Sequence, residues 1–92
     1  MPIISVFEGI IITMHCEKGE RHHTPHFHVR YGDHTAAVTL EGEILRGFLP
    51  RKQARYVKAW AAKHYNELVA NWYLTLTNRE PVRIDPLIVR GK

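Results

Sequence analysis

The sequence predicts a small α+β protein in which an antiparallel sheet of three to four strands packs against one long C-terminal helix. Two patterns predict this fold. In the N-terminal half, apolar and polar residues alternate in short runs separated by turn residues, as is typical of antiparallel strands. Residues 50–73 instead repeat apolar side chains at helical spacing, as is typical of an amphipathic helix.

Length and composition predict a single domain that spans residues 1–92. Of the 92 residues, 45% are hydrophobic and 24% are charged, as in ordinary globular proteins. The lone cysteine, Cys16, excludes an intrachain disulfide and fits a reducing compartment. The sequence shows no signal peptide and no apolar run long enough to cross a bilayer. We therefore expect a cytoplasmic protein with no membrane partner.

The clearest strand pattern covers residues 26–39, which we interpret as a hairpin. Gly32-Asp33 suits a two-residue turn, and the resulting register places Phe27 opposite Val38 on an apolar face. A shift by one residue would mix the two faces. In this register the other face carries His26, His28 and Arg30 opposite the small side chains of Thr39, Ala37 and Thr35. We expect these small neighbours to leave the imidazoles accessible.

The other strands follow from shorter patterns. Residues 3–16 are rich in Ile, Val and Thr, which suit strands, and Gly9 predicts a bend or bulge within them. Residues 44–49 predict a further short strand. The tail, residues 82–89, either adds a strand through Ile84 or packs as an extended segment.

The predicted helix combines a basic first half with an aromatic second half. Its buried stripe includes Trp60 and Trp72, which we expect in the core, and His64 and Asn71 are expected as buried polar groups bonded to the sheet. The chain carries a formal net charge of +4, which favours anionic partners such as nucleic acid. Candidate phosphate-binding residues on the helix are Arg51, Lys52, Arg55 and Lys58. A solvated face is the alternative explanation.

The most informative motif is His23-Thr24-Pro25-His26-Phe27-His28. Histidines at alternate strand positions place two imidazoles on one face, about 7 Å apart at Cα. An imidazole serves as general acid or base, and a nearby cation stabilises phosphate charge. His26, His28 and Arg30 are therefore candidate catalytic residues of a metal-independent ribonuclease that needs no cofactor.

The same histidines permit three other interpretations. His23, His26 and His28 supply three ligands suited to zinc, with one open position for water. Alternatively, the imidazoles form an ordinary polar sheet face that bonds to backbone, Thr39 and water. In the last interpretation the chain is a protein-interaction domain without catalysis, a candidate homodimer whose open sheet edge or basic helix docks a partner.

Taken together, the motifs resemble the bacterial family called domain of unknown function 4160. The motifs are Pro2-Ile3-Ile4-Ser5, Gly9-Ile10-Ile11-Ile12, the histidine run to Val29, Leu49-Pro50-Arg51, Trp60 with His64, Glu67-Leu68 with Asn71-Trp72, and Ile84-Asp85-Pro86-Leu87. The resemblance carries no established activity. It implies a neighbouring gene for a small partner protein, in a toxin–antitoxin-like arrangement, and thus a component that binds RNA and is a candidate to cleave it.

Overall fold

The computed structural model describes residues 2–15 and 24–90, which form an antiparallel sheet and a pair of helices. The strands are β1 (Ile3–Phe7), β2 (Ile10–Thr13), β3 (His26–Tyr31), β4 (His34–Thr39) and β5 (Ile44–Gly47), and the helices are α1 (Arg51–Lys63) and α2 (Tyr65–Leu76). Each strand pairs with the next in the chain, so β1 and β5 are the two sheet edges. Within the described residues, no helix is long and apolar enough to span a membrane.

The predicted central hairpin is confirmed. β3 and β4 pair with Phe27 opposite Val38 and His28 opposite Ala37, as the alternation of their side chains predicts. Gly32 has a φ of 58°, the left-handed conformation that a tight hairpin turn requires at its first position. The register therefore separates an apolar face from a face that carries histidine and arginine.

The number of strands was predicted wrongly, because residues 3–16 contain a second hairpin. Glu8 and Gly9 have φ values of 51° and 76°, so both adopt the left-handed conformation of a two-residue turn between β1 and β2. Gly9 is thus part of a turn and not a bend or bulge within one strand. The pairing irregularity of β1 lies instead between Ile3 and Ser5. The sheet has five strands where three to four were predicted.

The prediction of one long helix is also wrong, because the helix is interrupted at His64. This residue has a φ of −113° and a ψ of 25°, outside the α-helical range. Leu68 and Trp72 beyond the break are nevertheless buried, so the apolar repeat continues across it. The pattern of buried positions in the sequence therefore cannot reveal the break, because the same apolar stripe stays buried when the helix axis changes direction.

One face of the sheet packs against the helices and forms the core. Trp60 of α1 is fully buried, and its ring lies 5.8 Å from the Phe7 ring and 5.5 Å from the Phe27 ring, between centroids. Leu68 and Trp72 of α2 extend this core. The predicted core positions of Trp60 and Trp72 are confirmed. On the opposite face, Trp72 of α2 contacts His26 at one end of β3, whereas Arg30 is exposed.

Asn71 holds the C-terminal tail through the backbone of Val82. Its Nδ2 donates to the Val82 carbonyl oxygen and its Oδ1 accepts from the Val82 N–H, both at 2.8 Å. Asn71 is buried, as expected, but the tail and not the sheet satisfies its amide group. A primary amide suits this role because it carries one acceptor and one donor side by side.

Two more contacts fix the tail, one at the β1 edge and one on α1. The Ile84 N–H donates to the Ile4 carbonyl oxygen at 2.7 Å, and the Ile84 side chain is buried. The Trp60 Nε1–H donates to the Asp85 carbonyl oxygen at 2.9 Å. Of the two predicted possibilities, the tail packs as an extended segment and adds no strand.

Gly47→Ala should destabilise the protein far more than Gly32→Ala. At Gly47, where φ is 88°, an added Cβ would lie 2.2 Å from the Thr35 carbonyl oxygen, so the backbone must move. At Gly32 an added Cβ meets nothing within 4 Å. We expect losses of about 3 kcal/mol and about 1 kcal/mol in the free energy of unfolding, respectively. Urea denaturation measures both, and equal losses would contradict this geometry.

Asn71→Asp should release the tail. A carboxylate still accepts the Val82 N–H but cannot donate to the Val82 carbonyl oxygen, so we expect a loss of about 1–3 kcal/mol. Hydrogen exchange at the Val82 and Ile84 amides should accelerate. Asn66→Asp, the same chemical change at an exposed position of α2, is the matched control. Unchanged exchange in the Asn71 variant would show that this amide does not hold the tail.

Candidate functional site

The sheet face that carries His28 and Arg30 presents its candidate side chains in two rows that cross the strands. The first row runs through Thr13, His28, Ala37 and Arg46, which pair in turn from β2 to β5. The second row runs through Ile11, Arg30 and Thr35. The rows share one face because their members lie two positions apart along each strand.

These two rows line a cavity of about 650 Å³, which we call the sheet groove. It reaches from Ile3 on β1 to Gly47 on β5 and so spans the full width of the sheet. A volume of this size, with an apolar floor and a few polar groups, is typical of a ligand site. The groove therefore becomes the candidate functional site.

His28 is half-buried on the floor of the groove, at the centre of an imidazole cluster. Its ring stacks on His15, with centroids 4.8 Å apart and an angle of 17° between the planes. It also meets the His26 ring edge-on, with centroids 5.1 Å apart. The small cross-strand neighbours Thr13 and Ala37 leave room for the His28 ring to face the groove.

His26 is only 2% exposed, which corrects the expectation that both imidazoles are accessible. Its Nδ1 lies 2.8 Å from the Thr24 carbonyl oxygen, which only accepts, so Nδ1–H is the donor. Its ring packs against Trp72 of α2, with centroids 5.5 Å apart. The sequence pattern could not show that α2 reaches this end of β3. His26 supports the His28 ring from the protein interior.

Two members of the site were missed by the sequence analysis. His15 lies two positions beyond Thr13, so strand alternation gives it the same face as the His28 cluster. The sequence shows this alternation, but it does not show that β2 pairs with β3, and that pairing is what brings His15 to His28. Arg46 joins the site because β5 pairs with β4, and the sequence did not fix the register of β5.

Arg30 and Arg46 give the groove a positive charge. Arg30 is exposed and makes no ion pair within residues 2–15 and 24–90. Arg46 is separated from His28 by Ala37, which places their Cα atoms about 10 Å apart across two strand spacings. None of the described residues that line the groove is Asp or Glu. The groove thus favours an anionic ligand.

The predicted phosphate-binding residues of α1 lie in the other layer of the fold. Lys58 pairs with Glu43, with 3.0 Å between Nζ and Oε2, and the Lys52 Nζ lies 5.8 Å from the Tyr56 ring centroid. All four predicted residues are exposed on a helix that packs against the opposite face of the sheet: Arg51, Lys52, Arg55 and Lys58. The structure does not bring them together with His28.

His64 forms a separate pair with Glu67 at the helix break. Its Nδ1–H donates to Glu67 Oε1 at 2.5 Å, while its side chain is 8% exposed. Within the described part of the chain, its buried Nε2 has no hydrogen-bond partner. The ring lies 5.8 Å from Trp60 in the helix layer. His64 is thus buried as expected, but α2 and not the sheet provides its hydrogen bond.

The predicted zinc site lies partly outside the described residues, because His23 belongs to the undescribed segment. Within residues 2–15 and 24–90, no group of three or more His, Cys, Asp or Glu side chains is arranged to hold a metal ion. Zinc bound by His23, His26 and His28 therefore stays a prediction.

Fold and site together define a class of small α+β protein, with a helix pair on one sheet face and a basic, histidine-containing groove on the other. The chain belongs to the family described as "Domain of unknown function (DUF4160)", which matches residues 9–73 and confirms the resemblance. The matched region includes His15, His28, Arg30 and Arg46. No curated protein and no solved structure gave a significant match.

Replacing His26 should cost more stability than replacing His28. His26→Ala removes a buried ring that packs on Trp72, so we expect a loss of about 2 kcal/mol in the free energy of unfolding. His28→Ala acts at a half-buried position and should cost less than about 1 kcal/mol. Denaturation followed by tryptophan fluorescence measures both losses. A larger loss for His28→Ala would reverse the roles assigned to the two rings.

Proposed function

We propose that this chain is a toxin–antitoxin-like component that binds single-stranded RNA in the sheet groove and cleaves it. One observation carries the proposal: an imidazole and two guanidinium groups, those of His28, Arg30 and Arg46, line a groove with no carboxylate among its described residues. Guanidinium groups suit phosphate because they offer several donors in a fixed plane. The guanidinium charges favour phosphate binding, and the imidazole supplies a group that can accept or donate a proton.

The groove also suits the bases of an unpaired strand. Open antiparallel sheets bind single-stranded RNA in other proteins because splayed bases lie flat on the sheet and stack on planar side chains. Here Ile3 and Ile11 supply apolar surface, and the stacked rings of His15 and His28 supply planar surface. Arg30 would then hold the backbone beside the bases.

Cleavage requires one group that accepts a proton and one that donates a proton. The 2′-oxygen loses its proton to a base and attacks phosphorus, and the bond to the 5′-oxygen breaks as that oxygen gains a proton. The products are a 2′,3′-cyclic phosphate and a 5′-hydroxyl. We assign the base to His28, which faces the groove, and the acid to His15, whose ring stacks on it. Arg30 stabilises the phosphate charge in the transition state.

This assignment changes the role predicted for His26. Because His26 is 2% exposed and donates Nδ1–H to Thr24, we propose that it positions His28 and does not touch RNA. In the zinc alternative, His26 and His28 would be metal ligands instead. Cleavage in the presence of a chelator distinguishes the metal-independent mechanism from the zinc-dependent one.

RNA cleavage in the presence of EDTA tests the proposal directly. Wild-type, tag-free protein should cleave single-stranded RNA, and His28→Ala should lower the rate by at least about 100-fold while RNA affinity is retained. Arg30→Gln should weaken binding roughly tenfold at low salt and flatten its salt dependence, because one phosphate contact is lost. Fluorescence anisotropy measures the affinity.

The matched control is Arg79→Gln, the same substitution at an exposed arginine outside the groove, which should alter neither binding nor cleavage. Cleavage that survives His28→Ala would show that the catalytic assignment is wrong. Cleavage that EDTA abolishes, together with stoichiometric zinc in the purified protein, would favour the metal alternative. Absence of RNA binding by the wild type would exclude the proposal altogether.

A further inference from the structure

Among residues 2–15 and 24–90, no strand pairs with the outer side of β5, whereas the tail bonds to the other sheet edge at Ile4. All four β5 residues are exposed, and the apolar side chains at this edge are Ile44, Leu45 and Phe48, with exposed fractions of 41%, 43% and 60%. The Phe48 N–H donates to the Thr35 carbonyl oxygen at 3.0 Å, so β5 uses one side of its backbone for β4, and alternate backbone groups of the strand before Gly47 point outward. Outward groups of this kind accept an added strand.

α1 runs back beside β5, so strand and helix form one surface. At one end, residues 48–50 connect the two elements directly. At the other end, the turn before β5 packs on the helix: a Cβ built on Gly42 would lie 2.9 Å from the Lys58 Cα. Glu43 bonds to Lys58 at the same place, at 3.0 Å. Lys58 therefore marks the flank of α1 that lies beside the edge strand.

Arg51 and Arg55 lie on the same flank as Lys58. The three residues are separated by four and three positions, which places them in one column along an α-helix. Lys52 and Lys63 are separated by about three full turns, so they share one flank. This flank differs from that of Arg51, because consecutive helix residues are turned by about 100° from each other. No Asp or Glu occurs in α1 to neutralise either set.

We propose that the β5 edge binds an extended acidic segment of a partner protein as an additional strand. Such a strand would run beside the cation column formed by Arg51, Arg55 and Lys58. Since Lys58 is paired with Glu43, acidic side chains pointing toward the helix layer would meet Arg51 and Arg55. Its alternate side chains would contact the exposed apolar side chains of the edge. The recognised chemistry is thus a short segment in which acidic and apolar residues alternate.

Charge complementarity selects this occupant over a second copy of the chain. Each chain carries +4, and pairing two β5 edges would bring two identical cation columns together. RNA offers negative charge but no backbone amides that complete a β-ladder, and it would leave the apolar edge uncovered. The proposal does not depend on RNA binding in the sheet groove, which lies on the other sheet face.

A displayed library of random short peptides, selected against the intact chain, tests the proposal. We expect selected peptides to alternate acidic and apolar residues. Arg51→Glu/Arg55→Glu should weaken binding of the corresponding synthetic peptides about tenfold or more. Lys52→Glu/Lys63→Glu, an equal change of charge on the other flank, should keep the affinity within about threefold. Fluorescence anisotropy measures both.

A reciprocal exchange of charge shows that the altered chain still folds. Peptides in which lysine replaces the acidic residues should bind Arg51→Glu/Arg55→Glu and not the wild type. His28→Ala and Arg30→Gln should leave peptide binding unchanged, which separates this proposal from the one for RNA. Any one of four results would overturn the proposal for the β5 edge. These are selection of neutral or basic peptides, equal losses of affinity in both double variants, loss of RNA binding in place of peptide binding, and self-association through β5.

Discussion

The register of the β3–β4 hairpin is the constraint on which the rest of the structure depends. Because strand side chains alternate between faces, the pairing that turns Phe27 toward Trp60 also turns His28 and Arg30 toward the groove. A one-residue slip would place charge in the core and phenylalanine in the groove. Core and candidate site are therefore specified by the same set of backbone hydrogen bonds.

The sequence predicted this hairpin completely, because its two faces differ in chemistry and only one register keeps them apart. It therefore also placed His28 and Arg30 correctly on one face. The burial of His26 was not predictable, since it depends on a contact with α2, which lies far away in the chain. The inclusion of Arg46 was not predictable because the register of β5 on β4 is irregular and the sequence did not fix it. The break at His64 escaped notice because the same helical stripe stays buried on either side of it.

The sheet separates two cationic surfaces that the sequence presented as one basic chain. The groove collects Arg30 and Arg46 beside imidazoles, whereas the flank of α1 collects Arg51, Arg55 and Lys58 beside an open edge. The two surfaces face opposite sides of a single layer of backbone. One nucleotide cannot touch both, so a ligand in the groove and a strand at the edge would not compete for the same side chains.

The tail held by Asn71 and Ile84 has a consequence for assembly. A sheet with two exposed edges can join head to tail into an open-ended fibre, since every subunit offers a donor edge and an acceptor edge. Here the tail occupies the β1 edge at Ile4, so among the strands that the structure describes β5 is the edge left for growth. Edge pairing then ends after a single addition, which favours complexes of fixed one-to-one stoichiometry over filaments.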